Sequence, residues 1–453
     1  MTEELFMAKY LIVGAGRSGI ASAKMLKALG QDTVVFDGNE NLDTKGIKEK
    51  VGADKIEFIL GKATKKQLAD IDICVVSPGV PLDTDIMKTV ESAGVPVWSE
   101  IELAYRYDKG TVIAITGTNG KTTTTSLVYE IVKKWNEDTL LVGNIEIPYT
   151  GLALESKDEG YTVAEISSFQ LETMRTFKPH VSAILNITPD HLDRHKTMEN
   201  YAEIKKSIAV NQDENDFCVL NFEDDVLCQF GKEVKCKAVY FSSVRELEDG
   251  VYYKDGEIVL SENGEKTVVV RTDEVNLVGL HNFENIAAAV AMTYYAGVPL
   301  DIIREVTKKF VAVEHRIEFV EKINGVKYFN DSKGTNTDAA IKAIDAMPSE
   351  TVLIAGGYDK KSDYAEWISH LHGKCKLLLL MGQTKENIAA ACDKAGFSAY
   401  RFVESMEEAV KIAYENADDG DCVLLSPACA SWGMFKCYQE RGDVFKKCVR
   451  ELL

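Results

Sequence analysis

The sequence is short of the features that would each have fixed a different class of protein. Ten cysteines are scattered from Cys74 to Cys448, but none forms a C-x-x-C pair and no Cys/His cluster has zinc spacing, which excludes a structural zinc module. A chain of 453 residues does not need disulfides to hold its core, so the cysteines are expected to be reduced and mostly buried, as in a cytoplasmic protein. No apolar run reaches ~18 residues, so no membrane-spanning helix is expected. Met1-Thr2-Glu3-Glu4-Leu5-Phe6 has no basic stretch leading into an apolar one, so no secretory signal is expected. Internal repeats and low-complexity linkers are also missing. Positive charge is scarce: 52 Lys and Arg stand against 71 Asp and Glu, a formal net charge of -19. Such a surface repels nucleic acid and anionic lipid, and neither is expected as a partner. A phosphate-bearing ligand would have to be met by a local nest of backbone N–H groups and a few cations.

What is present is ordinary for a globular chain, 45% hydrophobic and 27% charged, and the length suggests about three domains. Apolar runs at Tyr10–Val13, Thr33–Phe36 and Ile73–Val76, with a helical pattern from Ile20 to Leu29 stopped by Gly30, predict βαβ units and a parallel sheet. A second unit opens at Thr111–Thr116 and continues with strands at Thr139–Val142, Tyr161–Ala164 and Val181–Leu185. From about Lys235 to Val275, the pairs Asp249-Gly250, Asp255-Gly256 and Asn263-Gly264 predict hairpins and an antiparallel excursion. An Ala-rich helix from Asn282 to Ala296 closes this unit. The third begins near Val313, with strands at Val326–Phe329, Thr351–Ala355, Leu377–Leu380 and Cys422–Leu425. The expected architecture is α/β in three domains: a Rossmann-like domain over 1–100, a P-loop ATPase-like domain with an antiparallel excursion over 101–311, and a Rossmann-like domain over 312–453.

Two glycine loops carry the chemistry. Gly14-Ala15-Gly16-Arg17-Ser18-Gly19 follows a strand and opens a helix, and Asp37 ends the next strand, where a ribose-binding carboxylate would sit. Its glycines let a diphosphate approach the backbone at a helix N-terminus. Three readings stay open here: a nicotinamide or flavin site, a nucleotide-sugar diphosphate site, or a tight turn with no ligand. The second loop, Thr116-Gly117-Thr118-Asn119-Gly120-Lys121-Thr122-Thr123, is a shortened P-loop, because Ile115 stands where the pattern's first glycine belongs. Its backbone can still cradle phosphate, with Lys121 on the β/γ oxygens and the Thr122 hydroxyl on Mg²⁺. Glu165 and His191 follow successive strands and offer oxygen and imidazole ligands for Mg²⁺ or Mn²⁺. Taken singly, each has a plainer reading as a helix cap or solvated loop group.

These loops, with Glu165-Ile166-Ser167-Ser168-Phe169-Gln170, Asn186 to His195, His281-Asn282-Phe283-Glu284-Asn285, His315-Arg316 and Asp331 to Asn336, resemble the Mur ligase family in order and over essentially the whole chain. Folylpolyglutamate synthases share the ATP machinery but do not normally begin with such an N-terminal domain, so they and other Mur-type ligases are the alternative. The resemblance implies an ATP-dependent ligase that adds D-glutamate to a UDP-linked muramoyl substrate in the cytoplasmic steps of peptidoglycan synthesis. It implies that Gly14, Arg17, Ser18, Gly19, Asp37, Ser77 and Gly79 hold the UDP part and that Asn144 meets the muramoyl part. Thr116, Gly117, Thr118, Asn119, Gly120, Lys121, Thr122 and Thr123 would bind ATP, with Asn285 near adenine and Arg316 and Asp331 on the nucleotide. Thr335, Lys360, Ser431 and Tyr438 would line the D-glutamate pocket. Thr122, Glu165, His191 and Lys205 would ligate one or two Mg²⁺ ions, which Mn²⁺ could replace. Lys205 aligns with a lysine that the family carbamylates; from the residues alone it reads as a surface helix lysine, and Lys206 leaves the register open by one. Lys361 leaves the same question at Lys360. A monomer acting on small molecules, with domain closure excluding water, is expected. Two rivals remain, a dehydrogenase and a non-catalytic nucleotide-binding regulator.

Overall fold

The computed structural model describes residues 8–53, 55–145, 147–311, 314–358 and 362–453. Their packing divides into two compact units, Met1–Val269 with Asn285–Val306, and Val270–Glu284 with Thr307–Leu453.

The first unit holds two sheets. Strands β1 (Lys9–Val13), β2 (Asp32–Asp37), β3 (Glu57–Leu60), β4 (Ile73–Val76) and β5 (Val97–Ser99) are all parallel, in the order β3-β2-β1-β4-β5. The order reverses beside β1, so a crevice opens at its carboxyl end, where the first glycine loop turns into helix Arg17–Ala28. The second sheet contains β6 (Thr111–Thr116), β7 (Thr139–Gly143), β8 (Tyr161–Glu165), β9 (Val181–Ile184), β10 (Phe217–Asn221), β11 (Lys237–Ser242), β12 (Gly250–Lys254), β13 (Glu257–Glu262) and β14 (Glu265–Arg271), in the order β14-β13-β12-β11-β10-β9-β6-β8-β7. The middle strands are near-continuous apolar runs because both faces are covered: Ile113, Val163, Ala183 and Val219 have no exposed surface. Each such residue contributes roughly 1.5–3 kcal/mol when large and aliphatic.

The antiparallel excursion is present, with one correction. Asp255 and Gly256 (φ 49° and 83°), and Asn263 and Gly264 (φ 52° and 78°), have the paired positive angles of a type I′ hairpin. Asp249-Gly250 does not make a hairpin, because β11 and β12 run parallel. They pair only at Phe241–Val251 and Ser242–Tyr252. A pairing confined to strand tips needs a bend rather than a crossover. Gly250 is there because a Cβ would lie 2.2 Å from the Tyr240 carbonyl oxygen.

In the second unit, β15 (Glu318–Ile323), β16 (Val326–Asn330), β17 (Thr351–Gly357), β18 (Cys375–Gly382), β19 (Tyr400–Phe402) and β20 (Cys422–Leu425) form a sheet in the order β15-β16-β20-β17-β18-β19. Only β15 is antiparallel to its neighbour. All ten cysteines are free, eight of them buried. Among the described residues, no helix is long and apolar enough to cross a membrane.

Candidate active site

The first glycine loop is held by its own neighbours. The Gly14 N–H donates to Phe36 O at 2.8 Å, the Ser77 hydroxyl donates to Gly14 O at 3.1 Å, and a Cβ on Gly19 would come within 1.9 Å of Gly14 O. Asp37 accepts from the Ala15 N–H through one oxygen and from the Asn39 N–H through the other, both at 2.9 Å. Its carboxylate therefore shapes the loop first. Arg17 and Gly79 are exposed and Ser18 half-buried. No side chain caps the helix that starts at Arg17, so its first N–H groups point into the crevice, as anion binding requires.

The second loop runs from the end of β6 into helix Lys121–Trp135, whose N-cap Gly120 has φ 83° and contributes no side-chain cap. Residues after β9 brace it. The Asn186 side chain accepts from the Asn119 N–H at 2.8 Å and donates to the Asn119 carbonyl at 3.2 Å. Thr118 Oγ1 bonds both peptide groups of Thr188 and lies 3.3 Å from the Tyr201 hydroxyl. Asn285 is buried against the loop: its Oδ1 accepts from the Thr124 hydroxyl at 3.3 Å and leaves no room for a Cβ on Gly120. Thr116 and Thr123 are buried, Thr122 half-buried.

Two ammonium groups converge on one carbonyl. Lys121 Nζ donates to Gly117 O and Thr118 O, each at 2.9 Å, and Lys205 Nζ donates to the same Gly117 O at 2.8 Å. Lys205 is not the surface lysine its helix pattern implied; it is 1% exposed. The helix Met198–Lys206 turns Tyr201, Ala202 and Lys205 inward, and the burial comes from the loops packed over it, which periodicity does not report. Burial, and then the Lys121 charge, push its pKa down to about 7, with Asp190 opposing.

Glu165 ends β8, buried between β6 and β7. Its Oε1 accepts from the Asn144 amide at 2.7 Å, while Oε2 is buried and has no hydrogen-bond partner. Gly143 permits this approach, since a Cβ there would lie 2.2 Å from Glu165 O. His191 stands in the left-handed region (φ 51°) with a half-exposed ring, edge-on to Phe169 at 4.8 Å.

In the second unit, Asp331 follows β16 and is buried. It accepts from the Ser426 hydroxyl at 2.7 Å, and burial raises its pKa to about 7 against the pull of Ser426, Arg316 and Arg441. Arg316 lies between two left-handed residues, His315 (φ 65°) and Ile317 (φ 46°), with its Nε buried and unpartnered. Such angles at a histidine and a β-branched residue are strained and fix the arginine's direction. Buried Arg441 donates to Ser332 Oγ, Ser332 O and Cys429 O, tying the loop that carries Thr335 to the one that carries Ser431. Tyr438 meets the His315 ring edge-on at 5.9 Å. Lys360 and its neighbours Asp359 and Lys361 lie outside the described residues. Glu314, His315 and Asp443 bring one potential ligand atom each into a cluster, but the Lys446 ammonium already pairs with Glu314 and Asp443.

The geometry thus brings Thr116–Thr123, Glu165, Lys205 and Asn285 together at the carboxyl edge of the nine-stranded sheet. It groups Arg316, Asp331, Thr335, Ser431 and Tyr438 in the second unit. Sequence reasoning missed Asn186, Tyr201, His195 and Arg441 as supporting residues. Asn186 and His195 bound a polar stretch that the sequence did single out, without these roles, and Arg441 is an arginine on an otherwise inward helix face.

Comparison with known proteins agrees with this layout. The MurD-like N-terminal domain of Mur ligases matches residues 8–99, the Mur ligase middle domain 115–293, and the Mur ligase glutamate ligase domain 315–429. The chain is 53% identical over 443 residues to the UDP-N-acetylmuramoylalanine--D-glutamate ligase of Lachnospira eligens, covering 98% of each chain. It is 48% identical over 445 residues to the protein of that name from Lachnoclostridium phytofermentans, again covering 98% of each. In fold it is similar to the MurF ligase from Thermotoga maritima in complex with ADP, at a TM-score of 0.59 and 17% identity over 100% of both chains. With three ordered domain matches and near-complete identity coverage, this chain belongs to the Mur ligase family.

Proposed function

We propose that the chain joins D-glutamate to UDP-N-acetylmuramoyl-L-alanine at the expense of ATP, giving ADP and phosphate, in the cytoplasmic assembly of peptidoglycan precursors. The reaction and substrate pair are those in the names of the two bacterial relatives. The observation that carries the chemistry is the convergence of Lys121 and Lys205 on one glycine-loop carbonyl, with an unpartnered Glu165 oxygen at the end of the neighbouring strand β8. Cations and hard oxygen donors gathered at a helix N-terminus suit a triphosphate; the dehydrogenase reading would leave all of them idle.

A carboxylate does not accept an amine directly, because its leaving group is poor. The alanyl carboxylate therefore attacks the γ-phosphate, ADP departs, and an acyl phosphate results. The amine of D-glutamate attacks the acyl carbon, and the tetrahedral adduct collapses with loss of phosphate. Lys121 offsets the charge gathering on the β/γ oxygens, and the uncapped N-terminus of the helix it opens turns N–H groups towards them. The crevice at Gly14–Gly19, with Ser77, Gly79 and Arg17, holds the uridine diphosphate, and Asn144 stands next to the acid end. Arg316 and Asp331 are assigned to the nucleotide, and Thr335, Lys360, Ser431 and Tyr438 to D-glutamate.

The donor set fits a divalent cation, since Glu165 Oε2 is buried with nothing to accept from, and oxygen and imidazole ligands suit Mg²⁺. Held by Glu165, His191, Thr122 and a carbamylated Lys205, Mg²⁺ or Mn²⁺ would screen the anions that must approach one another. The lowered lysine pKa supports carbamylation, because only the neutral amine reacts with CO₂. The division into domains at about 100 and 312 is part of the same reading. The test is phosphate release with UDP-N-acetylmuramoyl-L-alanine against a panel of D- and L-amino acids. Release dependent on D-glutamate alone is expected; release with another amino acid, or none, refutes the assignment.

A further inference from the structure

The groups around the second glycine loop are joined by rings as well as by hydrogen bonds. Phe169, four residues past Glu165, meets the His191 ring edge-on at 4.8 Å and stacks on His195 at 5.4 Å and 29°. His195 then lies 5.1 Å from the Tyr201 ring. The Lys205 ammonium stands 4.6 Å from the centre of that same ring, and the Tyr201 hydroxyl reaches Thr118. One chain of ring contacts, His191–Phe169–His195–Tyr201, therefore runs from the proposed metal ligand His191 to the proposed ligand Lys205 and touches the nucleotide loop on the way.

His195 is the member of this series of contacts that the reaction scheme leaves without a task. It is 1% exposed, and its Nε2 lies 2.9 Å from the hydroxyl of Ser168, which sits on the turn that follows Glu165. Its Nδ1 makes no hydrogen bond and faces Glu172 at 3.5 Å. Glu172 is already engaged by Arg194, which also donates to Pro78 O and Val80 O beside the first glycine loop. A ring wanted only for packing would be phenylalanine, with no polar atom to satisfy. A histidine bonded to the Glu165 turn, and set between the rings that touch His191 and Lys205, fixes three loops against one another.

We propose that His195 is a positioning residue for the ligase reaction: through its stack and its bond to Ser168 it holds His191, Glu165 and Lys205 at fixed separation around the nucleotide loop. The inference rests on the ligase reading above. The test uses the full-length protein and a non-hydrolysable ATP analogue, titrated calorimetrically with and without Mn²⁺. Incorporation of ¹³C-bicarbonate at Lys205 is followed in parallel by NMR. His195→Ala is expected to weaken Mn²⁺-dependent analogue binding about tenfold. It should leave metal-free binding within about twofold and reduce the carbamate signal. His195→Phe, which keeps the stack but not the Ser168 bond, should retain most of the carbamate and fall between. Ser168→Ala should resemble the Phe variant, and these two carry the test if the alanine variant does not fold. Wild-type Mn²⁺ dependence and carbamate in the folded variants would overturn the proposal and leave His195 a packing residue. An unsubstituted protein that binds no analogue in the presence of Mn²⁺ would instead sink the ligase reading itself.

Discussion

Replacing Lys205 with methionine should stabilise the protein while inactivating it, and the size of the effect should follow pH. In the folded state, the ammonium's pKa falls from 10.5 to about 7. At 1.36 kcal/mol per pH unit this is a penalty of about 5 kcal/mol for keeping the charge buried, which relaxation of the site lowers to roughly half. Below pH 7 the lysine is charged in both states and the penalty is full. Between about 7 and 10.5 only the unfolded chain holds the proton, so wild-type stability climbs with pH, and above 10.5 the penalty is gone. The methionine variant has no such slope. It gives back about 1 kcal/mol for the lost bond to Gly117 O. Its advantage at pH 6.5 should therefore be roughly 1.5 kcal/mol, and it should shrink as pH rises towards 10.5 and reverse only near the top of that window. Urea denaturation in CO₂-depleted buffer, read by hydrogen exchange in peptides from β6 and β8, isolates the first unit. Added bicarbonate should stabilise the wild type alone. A difference that stays constant from pH 6.5 to 10.5 would mean that Lys205 is hydrated and charged, and the argument for a reactive buried amine would fail.

Lys121→Ala should leave the circular dichroism spectrum unchanged and lower D-glutamate-dependent phosphate release by about 100-fold or more, the scale of losing a preorganised charge contact. Gly120→Ala puts a methyl group at φ 83° and within 2.3 Å of Asn285 Oδ1; calorimetry should show nucleotide analogue binding weakened about tenfold. Glu100 is buried and accepts from the Thr150 N–H and hydroxyl, and burial raises its pKa to about 7. The folded state thus holds the extra proton, and wild-type stability falls as pH rises from about 4.5 to 7. Glu100→Gln should abolish that slope, a gain of roughly 2–3 kcal/mol at pH 8 relative to pH 4.5 in parallel denaturation curves. Chelation with EDTA should stop phosphate release, and Mn²⁺ should restore it as Mg²⁺ does.

Most buried strands and both glycine loops were legible in the sequence. An apolar run such as Thr111–Thr116 followed by Gly-Thr-Asn-Gly-Lys states its own structure, because the strand, the positive-φ glycine and the uncapped helix start are all local requirements. Three edge strands were not legible: β3, β15 and β19 have exposed faces and charged residues that blur the pattern, and the interior β10 passed unnoticed between two longer segments. Asp249-Gly250 looked like a hairpin, yet the neighbour of β12 was chosen by the sheet rather than by the turn. The chemistry divides in the same way. Residue order alone named Lys121, Glu165 and His191, since each follows a strand in a short polar motif; Lys205 was named only by the family resemblance, its own helix pattern reading as a surface lysine. Only tertiary structure buried Lys205, put its amine on the carbonyl that Lys121 also seeks, left one Glu165 oxygen unpartnered, and set His195 between the rings of Phe169 and Tyr201. Those facts depend on groups far apart in the chain sharing one low-dielectric space, and periodicity along a single helix or strand carries no record of what lies across from it.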